Sequence, residues 1–168
     1  LRPGAALPVV LSFLFGPAAA WGSAFGNLIG DALGGMLTPG SLFGILGNFI
    51  YGFLPYTLWR TLMGHAHPTA SGLKGWLVFA LILVVDCAAI AAVIGWGVDW
   101  FKLAPFGALG MIIAVNNLIA TAAIATALVA LLYGRVQAWG LLYYQILDTG
   151  GEFDPTTGIA ETPPPPRR

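Results

Sequence analysis

The sequence predicts an all-α integral membrane protein, a bundle of about five transmembrane helices followed by a short amphipathic helix. Of the 168 residues, 58% are hydrophobic and only 8% are charged, whereas soluble domains carry about 25% charged residues. The mean hydropathy is +0.83. The apolar residues fall into long runs separated by short breaks rich in Gly, Pro, Thr and Ser. These observations together favour a multi-pass protein embedded in the lipid bilayer.

The apolar runs predict the individual helices. The last three runs, 42–63, 75–98 and 106–133, are each long enough for one span, because about 20 apolar residues cross a bilayer as a helix. The first run, 6–33, is interrupted by Gly16 and Pro17, and proline disfavours continuation of the turn before it. It predicts either one kinked helix or two short helices that meet at this turn.

The C-terminal part predicts two further segments beyond the bundle of residues 1–135. Residues 136–147 carry apolar side chains at helical intervals over a length too short to span, so we expect an interfacial amphipathic helix. Residues 148–168 have little apolar content and contain four consecutive prolines. This composition predicts a disordered, Pro-rich tail.

Basic residues indicate how the bundle is oriented. Arg60 and Lys74 flank one loop, and Arg135 follows the last span. The positive-inside rule therefore puts loop 61–74 and the C-terminus in the cytoplasm, with loops 35–41 and 99–105 outside. The formal net charge is zero, which gives no indication of a nucleic-acid partner.

Glycines recur every fourth position along two consecutive helices. In lipid, such small residues let helix backbones approach closely. The predicted packing residues are Gly22, Gly26, Gly30 and Gly34 in "WGSAFGNLIGDALGG", with Gly44 and Gly52 in the next helix. Two interpretations stay open, in which this face packs on the helix that carries Gly44 and Gly52 or docks another subunit. Asp31, near the outer end of its helix, is expected to be a solvated end group.

A few polar residues lie at membrane depth, where they are costly and usually face the protein interior. Asp86 is near the centre of "GWLVFALILVVDCAAIAAVIGW" and is the clearest candidate for a ligand or proton contact. Asn48, Asn116 and Asn117 are less costly, and interhelical hydrogen bonding accounts for each of them equally well. Together these side chains predict a cavity for a small polar or heteroaromatic ligand.

Several chemistries find no support in the sequence. His65 and His67 both lie in the loop "GHAHPTA", so no span carries an imidazole for haem ligation, and two ligands alone do not make a metal site. "WGSAFG" resembles a serine hydrolase motif, but no intramembrane base accompanies it. No nucleotide-binding motif is present. We therefore expect no cofactor, no metal and no enzymatic activity.

The residues from "LPVVLSFLFGPAAAWGSAFGNLIGDALGG" to "GNFIYGFLPYTLWR" resemble the central part of the S components of energy-coupling factor (ECF) vitamin transporters, especially the riboflavin-type group. In that family a short second helix ends at a Gly-Pro turn and a Gly/Asn-bearing fourth helix ends in a basic loop. The stretch "APFGALGMIIAVNNLIATAAIATALVALLYGRV" likewise resembles the family's last helix. The resemblance covers about residues 3–136.

This resemblance implies a six-helix fold that binds a vitamin-like small molecule from outside, with a membrane T component and two ABC-type ATPases driving its release inward. It also implies that the first apolar run is a hairpin. The family's first helix is not found among these residues, so either it lies upstream of Leu1 or the protein is an S-like scaffold with another use. The implied ligand contacts are Arg2, Asn48, Asp86, Asn116 and Asn117. The alternative hypothesis is an accessory structural subunit of a larger membrane complex. A membrane enzyme that uses Asp86 is a third, less favoured hypothesis.

Overall fold

The computed structural model describes residues 3–148 and confirms the all-α membrane bundle, since its regular elements are all helical over that range. A single 3₁₀ turn, Pro3–Ala5, precedes the first helix. A π-helical segment, Thr121–Ala125, joins two of the later helices without a break. The α-helices are α1 (Ala6–Phe15), α2 (Pro17–Leu33), α3 (Ser41–Met63), α4 (Gly72–Trp100), α5 (Phe106–Ala120), α6 (Thr126–Ala138) and α7 (Tyr143–Asp148).

The first apolar run forms two helices that fold back on each other. Gly16 joins them with φ 53° and ψ −134°, a conformation that residues with a Cβ rarely adopt. Pro17 then occupies the first turn of α2, where its missing N–H costs nothing. Leu7 of α1 and Gly26 of α2 line the same cavity, although one straight helix would hold them about 28 Å apart. The run is therefore a hairpin.

Three helical stretches are long and apolar enough to cross a membrane, namely Ser41–Met63, Gly72–Trp100 and the stretch that begins at Phe106. The hairpin helices α1 and α2, with 10 and 17 residues, extend only about 15 and 26 Å. The hydrocarbon core of a bilayer is about 30 Å thick. The described part of the chain thus contains the five expected helices of the bundle, of which three are full-length spans by this criterion.

Close backbone contacts hold α2, α3 and α4 side by side. A Cβ added at Gly52 of α3 would lie 2.7 Å from the Cα of Ala20 in α2. A Cβ added at Gly47 would lie 2.6 Å from Cγ1 of Ile94 in α4. One α3 face therefore packs on α2 and another on α4, and neither contact leaves space for a side chain.

The loops gather at two ends of the bundle. At one end Leu103 lies beside Gly40, so the loops that follow α2 and α4 meet there. At the other end the His65 ring lies 4.3 Å from the Tyr144 ring. We call this second end, which also carries Arg60, Lys74 and Arg135, the basic end. The chain thus groups its loops as the charge pattern predicts.

The apolar core is densest towards the basic end. Phe13 of α1 packs on Phe79 of α4 with ring centroids 5.2 Å apart, and on Trp59 of α3 at 5.9 Å. The indole N–H of Trp59 donates to the carbonyl of Ala66 at 2.9 Å. The hairpin tip is therefore anchored among α3 and α4, while the opposite end of the bundle stays more open.

Residues 136–147 do not form one continuous helix. α6 ends at Ala138, Gly140 takes a φ of 70°, and α7 begins at Tyr143. The Tyr143 ring lies 5.4 Å from the ring of Tyr56, so α7 packs beneath the hairpin at the basic end. The expected disordered tail lies almost wholly outside the described residues.

Candidate functional site

A cavity of about 1120 Å³ opens at the end of the bundle opposite the basic end. Side chains from α1 to α5 and from the loops at that end line it. Its walls are mostly apolar, with a few polar groups directed inward. The polar side chains of the lining include Asn27, Asp31, Asn48, Tyr51, Asn116 and Asn117.

The cavity brings together three of the five ligand contacts suggested by the sequence. Asn48 on α3 and the adjacent pair Asn116 and Asn117 on α5 all line it. Asp86 does not belong to its lining, and Arg2 lies outside the described residues. The three asparagines approach the cavity from helices far apart in sequence, which only the tertiary fold achieves.

The side-chain nitrogen of Asn48 already makes a hydrogen bond within its own helix. Its Nδ2 donates to the carbonyl of Gly44, one turn earlier in α3, at 2.8 Å. The Oδ1 atom is then the part of the side chain that remains to accept a hydrogen bond. Asn117 is 9% exposed, and its backbone carbonyl accepts a hydrogen bond from the Thr121 hydroxyl. Its carboxamide is therefore available to a ligand.

Asn27 and Asp31 form a polar pair on α2 that sequence reasoning did not assign to the site. The Nδ2 of Asn27 donates to Oδ2 of Asp31 at 3.4 Å, and both residues line the cavity. Their spacing of four puts them on one helix face. That spacing within an apolar helix was the available signal, and the position of Asp31 near the helix end obscured it.

Asp86 lies behind the cavity wall. It is 0% exposed, and neither carboxyl oxygen has a hydrogen-bond partner among the described residues. Tyr51 lines the cavity, and its hydroxyl lies near the sulfur of Cys87, the residue that follows Asp86. Asp86 is therefore fully buried and is not part of the cavity surface.

Three buried polar side chains, those of Tyr51, Cys87 and Thr121, form a connected series that includes the residue next to Asp86 in sequence. The Tyr51 hydroxyl lies 4.0 Å from the Cys87 sulfur, which lies 3.5 Å from the Thr121 hydroxyl. Thr121 begins the π-helical segment, and such segments often occur at functional sites. This series of side chains connects α3, α4 and the π-helical segment, and it reaches the cavity at Tyr51.

The glycines divide into two groups with different surroundings. Gly44 and Gly52 face α2 closely: a Cβ at Gly44 would lie 2.8 Å from the Asn27 Nδ2. Gly22, Gly26 and Gly30 would meet nothing within 4 Å, so these three do not mediate the α2–α3 packing expected of them. The α2 side of that interface instead presents Ala20 and Asn27, because the glycines lie on another face of the helix.

Two of these open glycines contribute to the cavity. Gly22 and Gly26 line it, and their missing side chains leave the α2 backbone bare on that wall. Gly34 caps the end of α2, where an added Cβ would lie 3.1 Å from the Gly30 carbonyl oxygen. A flat ligand could therefore approach the α2 backbone between α1 and α3.

The basic end offers a different environment. The Arg60 guanidinium lies 5.9 Å from the Tyr56 ring centroid and 5.4 Å from that of Tyr144. His67 packs its ring 4.7 Å from Tyr133, and burial lowers the pKa of His67. Within residues 3–148 no group of three or more His, Cys, Asp or Glu side chains could hold a metal ion.

Comparison with known proteins identifies one related family. A family model described as "QueT transporter" matches residues 1–134. No match was found among curated proteins or among solved structures. The matched range contains the complete cavity and all five helices that line it.

Proposed function

The chain belongs to the QueT transporter family, a family of S components of ECF transporters, and from this premise we propose that it captures a queuosine precursor in the cavity. The observation that carries the proposal is the convergence of Asn48, Asn116 and Asn117 on one cavity at membrane depth. Buried carboxamides are directional hydrogen-bonding groups. Their role is binding for transport rather than chemical turnover.

The chemistry of such a ligand suits the walls of the cavity. Queuosine is a 7-deazaguanosine, so its precursors carry a flat heteroaromatic ring with hydrogen-bond donors and acceptors on its edge. The cavity, about 1120 Å³, is ample for such a molecule, since small-molecule pockets typically measure about 300–1000 Å³. Gly22 and Gly26 leave room for the ring face, and the asparagines offer partners for its edge.

Each polar residue has a separate role in this proposal. The Oδ1 of Asn48 accepts from a ring N–H or amino group, because its Nδ2 already donates to Gly44. Asn116 and Asn117, both on α5, form hydrogen bonds with the opposite edge of the ligand ring. Asp86 acts on the ligand through Tyr51 rather than by direct contact. Arg2, which directly precedes the cavity-lining Pro3, is a further proposed contact.

The charges support an inward direction of transport. Arg60, Lys74 and Arg135 lie at the end opposite the cavity, which supports a cytoplasmic basic end. The cavity then opens to the outside of a prokaryotic plasma membrane. The proposed partners are a T component and two ABC-type ATPases, which supply the energy for release inward.

Binding of 7-deazaguanine derivatives to the purified full-length chain tests the proposal by isothermal titration calorimetry. We expect saturable binding, and a loss of about tenfold in affinity for Asn117→Leu, because one hydrogen bond to a desolvated ligand contributes about 1.4 kcal/mol. Thr61→Ala is the control, since the Thr61 hydroxyl donates to the Thr57 carbonyl, 2.8 Å away at the basic end. Absence of binding, or an equal loss in the control, would contradict the proposal.

A further inference from the structure

Asp31 gives the cavity a distinctive electrostatic character. Among the described residues that line it, Asp31 is the single formally charged side chain, and no Lys, Arg or His takes part. The remaining polar lining consists of amide, hydroxyl and backbone groups. An otherwise uncharged lining with one carboxylate favours a ligand that carries one positive charge.

The surroundings of Asp31 leave that charge uncompensated within the described part of the chain. Its side-chain partner is the Asn27 amide, at 3.4 Å, which donates a hydrogen bond but carries no charge. Asp31 also lies in the last turn of α2. The carbonyl groups at a helix C-terminus add partial negative charge, so the helix end strengthens the attraction for a cation.

The position of Asp31 sets how such a ligand would lie. On α3 the neighbour of the Asn27–Asp31 pair is Gly44, where an added Cβ would lie 3.9 Å from Oδ2 of Asp31. Asn48 is one turn further along α3, a rise of about 6 Å. A cationic group at Asp31 and a ring edge at Asn48 are therefore separated by about the length of a short substituent on a bicyclic ring.

We infer that Asp31 binds a protonated amine carried on a short arm of the ligand, and that the site selects amine-bearing heteroaromatic rings over uncharged ones. The inference rests on the proposed function, because it concerns the same cavity. The amine donates to the carboxylate at the cavity mouth, beside Asn27. The ring lies deeper, against the bare wall of α2 at Gly22 and Gly26 and within reach of Asn48.

Two probes with the same ring separate the charge from the shape. 7-Aminomethyl-7-deazaguanine carries a protonated amine at neutral pH, and 7-cyano-7-deazaguanine does not. The purified full-length chain should bind the aminomethyl probe at least tenfold more tightly by calorimetry. Asp31→Asn should weaken the aminomethyl probe by about 10- to 100-fold, or about 1.4–2.7 kcal/mol, and change the affinity for the cyano probe less than about threefold.

Controls distinguish recognition from a structural effect. Asp99→Asn removes the same charge at the same end of the chain from a residue that does not line the cavity, and should leave both affinities unchanged. Asp31→Glu keeps the charge and should retain most of the preference for the amine. Equal binding of the two probes, or an equal loss of both in Asp31→Asn, overturns this inference while the proposed function stands. Failure of both probes to bind overturns the two together.

Discussion

Substitution of Gly52 by alanine tests how the wall between the hairpin and α3 is built. The added Cβ would lie 2.7 Å from the Cα of Ala20 and 2.9 Å from the Ala19 carbonyl oxygen. Carbon atoms in contact normally lie about 3.5–4.0 Å apart, so α2 and α3 must separate by about 1 Å. Because both neighbours are backbone atoms, no side-chain rotation relieves the overlap. Overpacking of this kind costs about 1–3 kcal/mol.

Gly30→Ala is the matched control for this substitution. A Cβ at Gly30 meets nothing within 4 Å, and Gly30 does not line the cavity. Alanine is the better helix former by about 1 kcal/mol, so this variant should be at least as stable as the original protein. The two substitutions add the same methyl group and differ only in what surrounds it.

Cys87 provides a direct assay for the two variants. It is the chain's single cysteine and is 2% exposed, so a thiol-reactive fluorophore reacts with it mainly after the bundle opens. We expect the unfolding temperature in detergent to fall by about 2–10 °C for Gly52→Ala and not to fall for Gly30→Ala. Equal unfolding temperatures for the two variants would refute the close α2–α3 contact.

Three further outcomes follow from the same contacts. Because burial lowers the pKa of His67, stability should be complete above a pH of about 6.5 and fall as the pH drops through the lowered value. His67→Asn should flatten this dependence in thermal scans, and exposed His65→Asn should not. Asp86→Asn should leave the unfolding temperature unchanged or higher, because neither buried oxygen has a partner within residues 3–148, and should weaken binding less than Asn117→Leu does; a large drop in stability would instead reveal an ionic partner. Gly16→Ala should lower the unfolding temperature by several degrees, because φ is 53° and the new Cβ would lie 2.8 Å from the Tyr143 ring; an unchanged value would contradict the hairpin turn.

The site was only partly accessible from the sequence. Membrane depth alone singled out Asn48, Asn116 and Asn117, since polar side chains in an apolar span usually face the protein interior. The same criterion selected Asp86, which the fold buries outside the cavity lining. Asp31 was assigned to solvent because it lies near a helix end, yet the fold turns it into the cavity beside Asn27. Depth along a helix can be read from hydropathy, but the direction a side chain faces depends on its neighbours.

The sequence by itself determined the class of the protein, the positions of its helices and the grouping of its loops. These properties follow from hydropathy, helix-breaking residues and basic loops, which act locally along the chain. Only the tertiary structure decided that α1 and α2 form a hairpin at Gly16, that Ala20 packs on Gly52, and that Gly22 and Gly26 border a cavity. These are contacts between segments far apart in the chain, and they depend on the rotation of each helix about its axis. Spacing along one helix leaves that rotation undetermined until its neighbours are in place.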